Sequence, residues 1–363
     1  RAKAFRFEER LVCLDLESGE VIWDRSQECA YTRFTQSSTP CVHAGRVYVL
    51  GPERTARCYD AQRGDVIWEQ RLPGEFRDEF FASSFVVDGD IALVACGPLS
   101  ALRASDGELL WQGDTRLDYQ SHSSPVLWAG GDTRVVLVNT AGGKTDAYRV
   151  EDGTKLWELA SGVGHSTPIV AGDLLLTYGS SRKSGLSAYR LDPQAPEKEP
   201  ALVWQFQRAA DMGSTPVVLG DAVFVQGEKR LAKVDLASGR TIWQTTLQIS
   251  NPRYTSPIAA GNQVFYGWEG LLAFSADSPR FELFYDAKVD SQARLIGTDD
   301  LRQEMRLDQM STQDDGLAKA EKAWRSEAIN SGPLACSSPA FADGRMVLRL
   351  RKGLACYDLR TKK

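Results

Sequence analysis

Two of the three histidines hold equivalent places in the chain. His122 stands directly before Ser-Ser-Pro (123–125) and His165 directly before Ser-Thr-Pro (166–168). Related tripeptides recur elsewhere, and the residues preceding them are Ser37, Ala82, Gly213, Tyr254 and Cys336, with Gln36, Gln120 and Arg253 close by in sequence. Imidazole, phenol, thiol, hydroxyl, amide and guanidinium groups brought together could hydrogen-bond a small polar ligand, and His with Cys could ligate a metal. The candidate ligand set is therefore Gln36, Ser37, Gln120, His122, His165, Arg253, Tyr254 and Cys336. The alternative is a hydrated rim, with the neighbouring Ser and Thr hydroxyls satisfying backbone groups of a tight strand.

Other chemistry is hard to place. HExxH, a Walker loop, GxSxG and an EF-hand loop are all missing from the sequence. Ala-Gly-Gly-Lys-Thr at 141–145 lacks the upstream glycine of a phosphate-binding loop. Cys13, Cys29, Cys41, Cys58, Cys96, Cys336 and Cys356 include no CxxC and no adjacent pair. No catalytic residue and no metal set is assigned. Cys13, Cys58 and Cys356 share one register (LVCLDL, ARCYDA, LACYDL) and read as small buried hydrophobes.

The elements that would position these groups are repeated. LDLESGEVIW ends at Trp23, YDAQRGDVIW at Trp68, LRASDGELLW at Trp111, YRVEDGTKLW at Trp157 and VDLASGRTIW at Trp243. Each has Gly four residues before the tryptophan, at Gly19, Gly64, Gly107, Gly153 and Gly239. A sixth copy reaches Trp204 through a Pro-rich insertion at 193–200. A seventh, FSADSPRFELF, places Leu283 where tryptophan is expected. An alternating apolar run, a polar pair with Gly, then a second apolar run is a hairpin signal. One large apolar plate per hairpin suits packing between neighbouring units, so these tryptophans are read as structural.

Each Ser-Pro signature is followed by a short apolar run, a Gly turn and another strand, as in CVHAGRVYVL and VVLGDAVFVQ. A unit is thus a four-stranded antiparallel meander. Units begin near 40, 85, 125, 168, 216, 257 and 339, mostly 40 to 48 residues apart, which is propeller spacing. The fold class is all-β: a propeller of four-stranded antiparallel blades in one domain over 1–363. Eight blades are preferred and seven are the alternative, because the first unit starts in mid-repeat and the last stops before a tryptophan strand. The long interval from 257 to 339 is polar and helix-favouring, with Thr298 or Asp299 as a helix start, so 286–323 is read as a partly helical insertion. Trp324 would then supply that unit's outer-strand tryptophan.

A net charge of −5 argues against nucleic acid or an anionic membrane as the main partner. No apolar run approaches the roughly 18 residues of a transmembrane span. RAKAFRFEER, the first ten residues, has no signal-peptide core, so the chain is read as cytoplasmic or as having shed a targeting segment.

The hairpin (A/Y)xDxxxGxxxW followed by the SSP strand resembles the pyrroloquinoline-quinone (PQQ) dehydrogenase-type repeat with its tryptophan-docking motif. It is most similar to the short, BamB-like PQQ-like repeat propellers of bacteria. The resemblance implies that the Ser-Pro strand is innermost, so that the candidate ligand set rings one mouth of a central channel. It also implies a periplasmic or secreted protein. PQQ alcohol dehydrogenases carry an adjacent Cys-Cys pair and a calcium-binding Glu/Asn/Asp set; this sequence has no such pair and shows no such set by motif. The expectation is a monomeric, non-catalytic scaffold binding a protein or envelope partner, with no cofactor. The alternatives are a quinoprotein-type oxidoreductase with PQQ and calcium, or a small-molecule or sugar binder at the channel mouth. The insertion and the 193–200 loop are the expected contact elements.

Overall fold

The computed structural model describes residues 7–30, 38–74, 82–115, 122–140, 142–250, 252, 254–335 and 337–360. Its recurring element is a hairpin built by Asp and Gly together. In YDAQRGDVIW the Asp60 N–H donates to the Asp65 carbonyl at 2.8 Å, and Gly64 N–H donates back to the Asp60 carbonyl at 2.8 Å. The Asp60 carboxylate accepts the Gln62 and Arg63 N–H groups at 3.0 and 2.8 Å. Gly64 has φ +71°, a conformation that costs glycine least. Asp235 and Gly239 close their turn in the same way.

The chain forms two compact units, residues 1–205 and 206–363. The first holds a two-stranded ribbon (Phe7–Leu14 and Val21–Cys29) and four blades of four antiparallel strands in sequential order. Blade 1 spans 41–71, blade 2 86–112, blade 3 126–159 and blade 4 169–206. The second unit holds four-stranded blade 5 (217–246), five-stranded blade 6 (258–297) and three-stranded blade 7 (340–358). All pairings are antiparallel, and most innermost strands are three residues long, such as Cys41–His43 and Ile258–Ala260. Seven blades therefore carry an innermost strand, the alternative count. The preferred eight is not reached because, among the described residues, the N-terminal sheet contains only the two outer strands.

Second and third strands are buried on both faces, as in Val135, Val136, Leu137 and Val138, and interlock in apolar clusters between sheets. At the outermost strand the register shifts beside the tryptophan. This occurs next to the Cys13–Trp23, Cys58–Trp68, Ala147–Trp157 and Lys233–Trp243 pairs. A bulge re-aims a side chain, and here the indole crosses to the next sheet. Trp23 Nε1 donates to the Ala61 carbonyl at 3.0 Å, Trp68 to Ala104 at 3.0 Å, Trp111 to Val150 at 2.9 Å and Trp157 to Pro196 at 3.1 Å. Trp243 instead packs against Phe281 and Phe274, with ring centroids 5.3 and 5.8 Å away. Trp204 is buried on the outermost strand of blade 4.

Three expectations are corrected. Trp324 is not on an outer strand; it ends helix α3 (Gly316–Trp324), because Leu-Ala-Lys-Ala-Glu-Lys-Ala is a run of helix formers. In blade 6 the tryptophan register falls on Tyr285, not Leu283. Ala273 pairs with Tyr285, and the shift follows at Phe274, because the turn is two residues longer than its counterparts. Cys58 is buried, and burial pushes its thiol up to about 11, but Cys13 is half-buried and Cys356 exposed. Cys356 lies on the last strand of blade 7, where no outermost strand covers it.

After the fifth strand of blade 6, Leu295–Gly297, come three helices: α1 (Thr298–Glu304), α2 (Leu307–Ser311) and α3. Thr298 opens α1, and its hydroxyl donates to the Asp286 carboxylate at 2.6 Å. Among the described residues no helix is long and apolar enough to cross a membrane.

Candidate functional site

The segments before the innermost strands are held by their own hydroxyls. In four signatures the second Ser or Thr accepts the backbone N–H of its counterpart in the preceding blade. Thr39 N–H donates to Ser84 Oγ at 2.9 Å, Ser84 to Ser124 at 2.9 Å and Ser124 to Thr167 Oγ1 at 3.2 Å. In the second unit Thr215 N–H donates to Ser256 Oγ at 2.9 Å. The first hydroxyl points inward: Ser83 Oγ accepts the Ala95 N–H at 3.1 Å, and Ser166 Oγ donates to the Tyr178 carbonyl at 2.7 Å. The signature thus serves backbone groups that would otherwise be buried without partners.

That ladder sets His122 and His165 side by side. Their rings are 4.3 Å apart between centroids and nearly perpendicular, at 86°. Burial, and secondarily the facing His165, push His122 down to about 4; burial also lowers His165. At neutral pH the pair is uncharged. Two neutral imidazoles can donate and accept hydrogen bonds to a small ligand. They suit acid–base catalysis poorly, since a base works best with a pKa near the working pH.

Tyr254 lies in the second unit. It has φ +58°, a left-handed conformation unusual for an aromatic residue, and its ring covers Gly213, where a Cβ would overlap it. Buried Asp211 organises this corner by accepting N–H groups of Gly213 (2.9 Å), Ser214 (2.6 Å) and Tyr254 (3.3 Å). Sequence reasoning missed Asp211; its one signal was an acidic residue just before a Ser-Thr-Pro signature. Gln36, Ser37, Gln120, Arg253 and Cys336 lie outside the described residues. The structure therefore brings together His122 and His165 of the candidate set.

The sequence has no adjacent cysteines, and among the described residues no group of three His, Cys, Asp or Glu side chains could hold a metal ion.

Residues 8–245 and 194–280 match the family described as outer membrane protein assembly factor BamB. The chain belongs to this BamB family. Its relative from Shewanella oneidensis, an outer membrane protein assembly factor BamB, is 25% identical over 256 residues. The match covers 62% of this chain and 60% of the relative. The factor of the same name from Vibrio cholerae is 27% identical over 236 residues, with the same coverage. The match thus spans about three fifths of these relatives' length. Among solved structures, BamB from Moraxella catarrhalis superposes with a TM-score of 0.60 at 14% identity, over 93% of this chain and 88% of that one. A europium-containing methanol dehydrogenase reaches 0.56 at 11% identity, over 76% of this chain and 75% of that one. These likenesses establish the propeller fold of four-stranded antiparallel blades, shared by BamB-family chains and by an enzyme, so the fold alone does not assign a reaction.

Proposed function

We propose that this BamB-family chain is a non-catalytic scaffold of the cell envelope, working on the periplasmic side and binding proteins that take part in outer-membrane protein assembly. Family membership over 8–245 carries this reading. The surface supports it. Outermost strands expose apolar pairs just before the tryptophan: Val21 and Ile22, Val66 and Ile67, Leu202 and Val203. Exposed apolar surface of this kind suits protein contact. The segment 286–323 and the 193–200 loop are the contact elements in this reading. Leu317 on α3 is 75% exposed, and Glu197, Lys198 and Glu199 are exposed on the loop.

The test is to tag the full-length protein in its native host, cross-link reversibly and identify what co-purifies. Outer-membrane assembly components should be recovered, and Leu317→Glu should reduce their yield several-fold without changing the thermal midpoint. Normal outer-membrane protein levels in a deletion strain, with no such components recovered, would overturn the scaffold reading. The His122–His165 pair favours a second reading, a small-ligand site. It predicts saturable shifts of both imidazole NMR signals with a polar ligand, and their absence across a metabolite screen would count against it.

A further inference from the structure

Trp23, Trp68, Trp111 and Trp157 fill one kind of socket. Its floor is a backbone carbonyl of the next sheet: that of the residue just after the third strand in blades 1 to 3, Ala61, Ala104 and Val150, and that of Pro196 in the 193–200 loop of blade 4. In blades 1 to 3 that residue's N–H is itself clamped to the neighbouring turn: Ala61 to Gly45 at 2.9 Å, Ala104 to Asp90 at 2.9 Å and Val150 to Arg134 at 2.9 Å. A turn glycine covers the outer face of the ring; a Cβ on Gly64, Gly107 or Gly153 would strike the indole of Trp23, Trp68 or Trp111.

Between blades 6 and 7 the socket has its floor and inner wall but no indole among the described residues; position 362, the counterpart of the covering turn glycine, lies outside them. Leu359 is the counterpart of Ala61 and Ala104, since its N–H donates to the Gly344 carbonyl at 2.9 Å. Phe265 pairs with Ile258 as Tyr48 pairs with Cys41, and Tyr48 lies 6.0 Å from the Trp68 ring. The residue in tryptophan register is Tyr285, whose hydroxyl turns to the Leu295 carbonyl at 3.5 Å. What remains is an open surface depression of 330 Å³ lined by Gln263, Phe265, Phe341, Gly344, Arg345 and Leu359, among others.

We propose that this socket binds an indole from outside the chain: the tryptophan side chain of an extended segment of a partner protein, its ring N–H donated to the Leu359 carbonyl. Four filled sockets in the same molecule show which group the geometry fits. An inserted indole buries about 150–250 Å², against roughly 800 Å² per partner in a stable interface. The socket therefore supplies one anchor for a segment and not a dimer face. Leu283 and Phe284, on the strand that elsewhere delivers the indole, are exposed and extend the apolar surface beside it. The lining carries one acid and one base, Asp343 and Arg345, and beside it Arg360 pairs with Asp358 at 2.6 Å. Recognition is therefore aromatic and insensitive to salt. Only the source of the indole rests on the protein-binding reading.

The test is NMR titration of the full chain with N-acetyl-tryptophanamide. Saturable shifts should localise to Phe265, Phe341, Gly344 and Leu359, unchanged between low and high salt. The indole N-methyl analogue should bind about tenfold more weakly, the worth of one hydrogen bond. Tyr285→Trp should supply the missing indole internally, abolish probe binding and raise the urea midpoint. No saturable shift, shifts elsewhere, equal binding of the N-methyl analogue, or undiminished binding by a folded Tyr285→Trp would each overturn the proposal. Such a failure leaves the scaffold reading intact, since the probe is free of any partner; failed co-purification with intact probe binding would sink that reading alone.

Discussion

Gly107→Ala should cost more than an ordinary turn substitution. Gly107 has φ +80° and lies flat against the Trp68 ring, so a methyl group is both strained and blocked. Gly45 has a similar φ, +75°, with open space where a Cβ would go. Gly45→Ala should therefore cost about 1 kcal/mol and Gly107→Ala about 2–3 kcal/mol, read from urea midpoints at equal slope. A second residue-scale prediction concerns pH. His122 is held near 4 in the folded protein, chiefly by burial and then by His165, against about 6.5 unfolded. Between these values the unfolded chain binds a proton that the native one does not, so stability rises with pH across that window. The contribution is complete above 6.5 and is lost as pH falls toward 4. His122→Gln should flatten the stability profile between pH 6.5 and 5, above the range of most carboxylates; an unchanged slope would show that the imidazole pair is not the sensor.

At the scale of elements, the hydroxyl ladder makes a sharper demand than strand propensity does. Ser124 Oγ is the acceptor for the Ser84 N–H, so Ser124→Ala removes a bond that ties blade 2 to blade 3. About 1–2 kcal/mol should be lost, and the Ser84 amide should exchange with solvent faster. Ser124→Thr, the residue nature places at 167 and 215, should restore both. Such elements were legible because each writes its mechanism in residue types: Asp and Gly for the turn, one tryptophan for the bulged strand, paired hydroxyls for the ladder. The blade 6 hairpin was less legible for a physical reason. Two extra turn residues leave the spacing to Leu283 looking regular while the hydrogen-bond register moves to Tyr285, and no one-dimensional count distinguishes the two. The segment after it misled through Trp324, since a tryptophan ends an α-helix as readily as it sits on a strand. The candidate site was half legible: sequence equivalence brought out His122 and His165, but the carboxylate of Asp211 carries no repeat signal.

At the scale of the whole molecule, the repeat and the chemistry part company. The fold is shared with a methanol dehydrogenase, so the repeat alone does not assign a reaction. The distinction lies in groups outside the repeat, because indoles, turn glycines and paired hydroxyls are the groups that hold the blades together. The cysteines show this: Cys13 and Cys58 are spent beside the tryptophans, opposite Trp23 and Trp68, and no two cysteines are adjacent. Adding PQQ with calcium should therefore produce no co-eluting chromophore, no dye-linked alcohol oxidation and no thermal shift. A cofactor bound only to the native state and present at a hundred times its Kd would add about 2.7 kcal/mol, which moves a melting midpoint by several degrees. A shift of that size with stoichiometric chromophore would return the chain to the oxidoreductases, because tight native-state binding demands a built site that the repeat residues themselves do not provide.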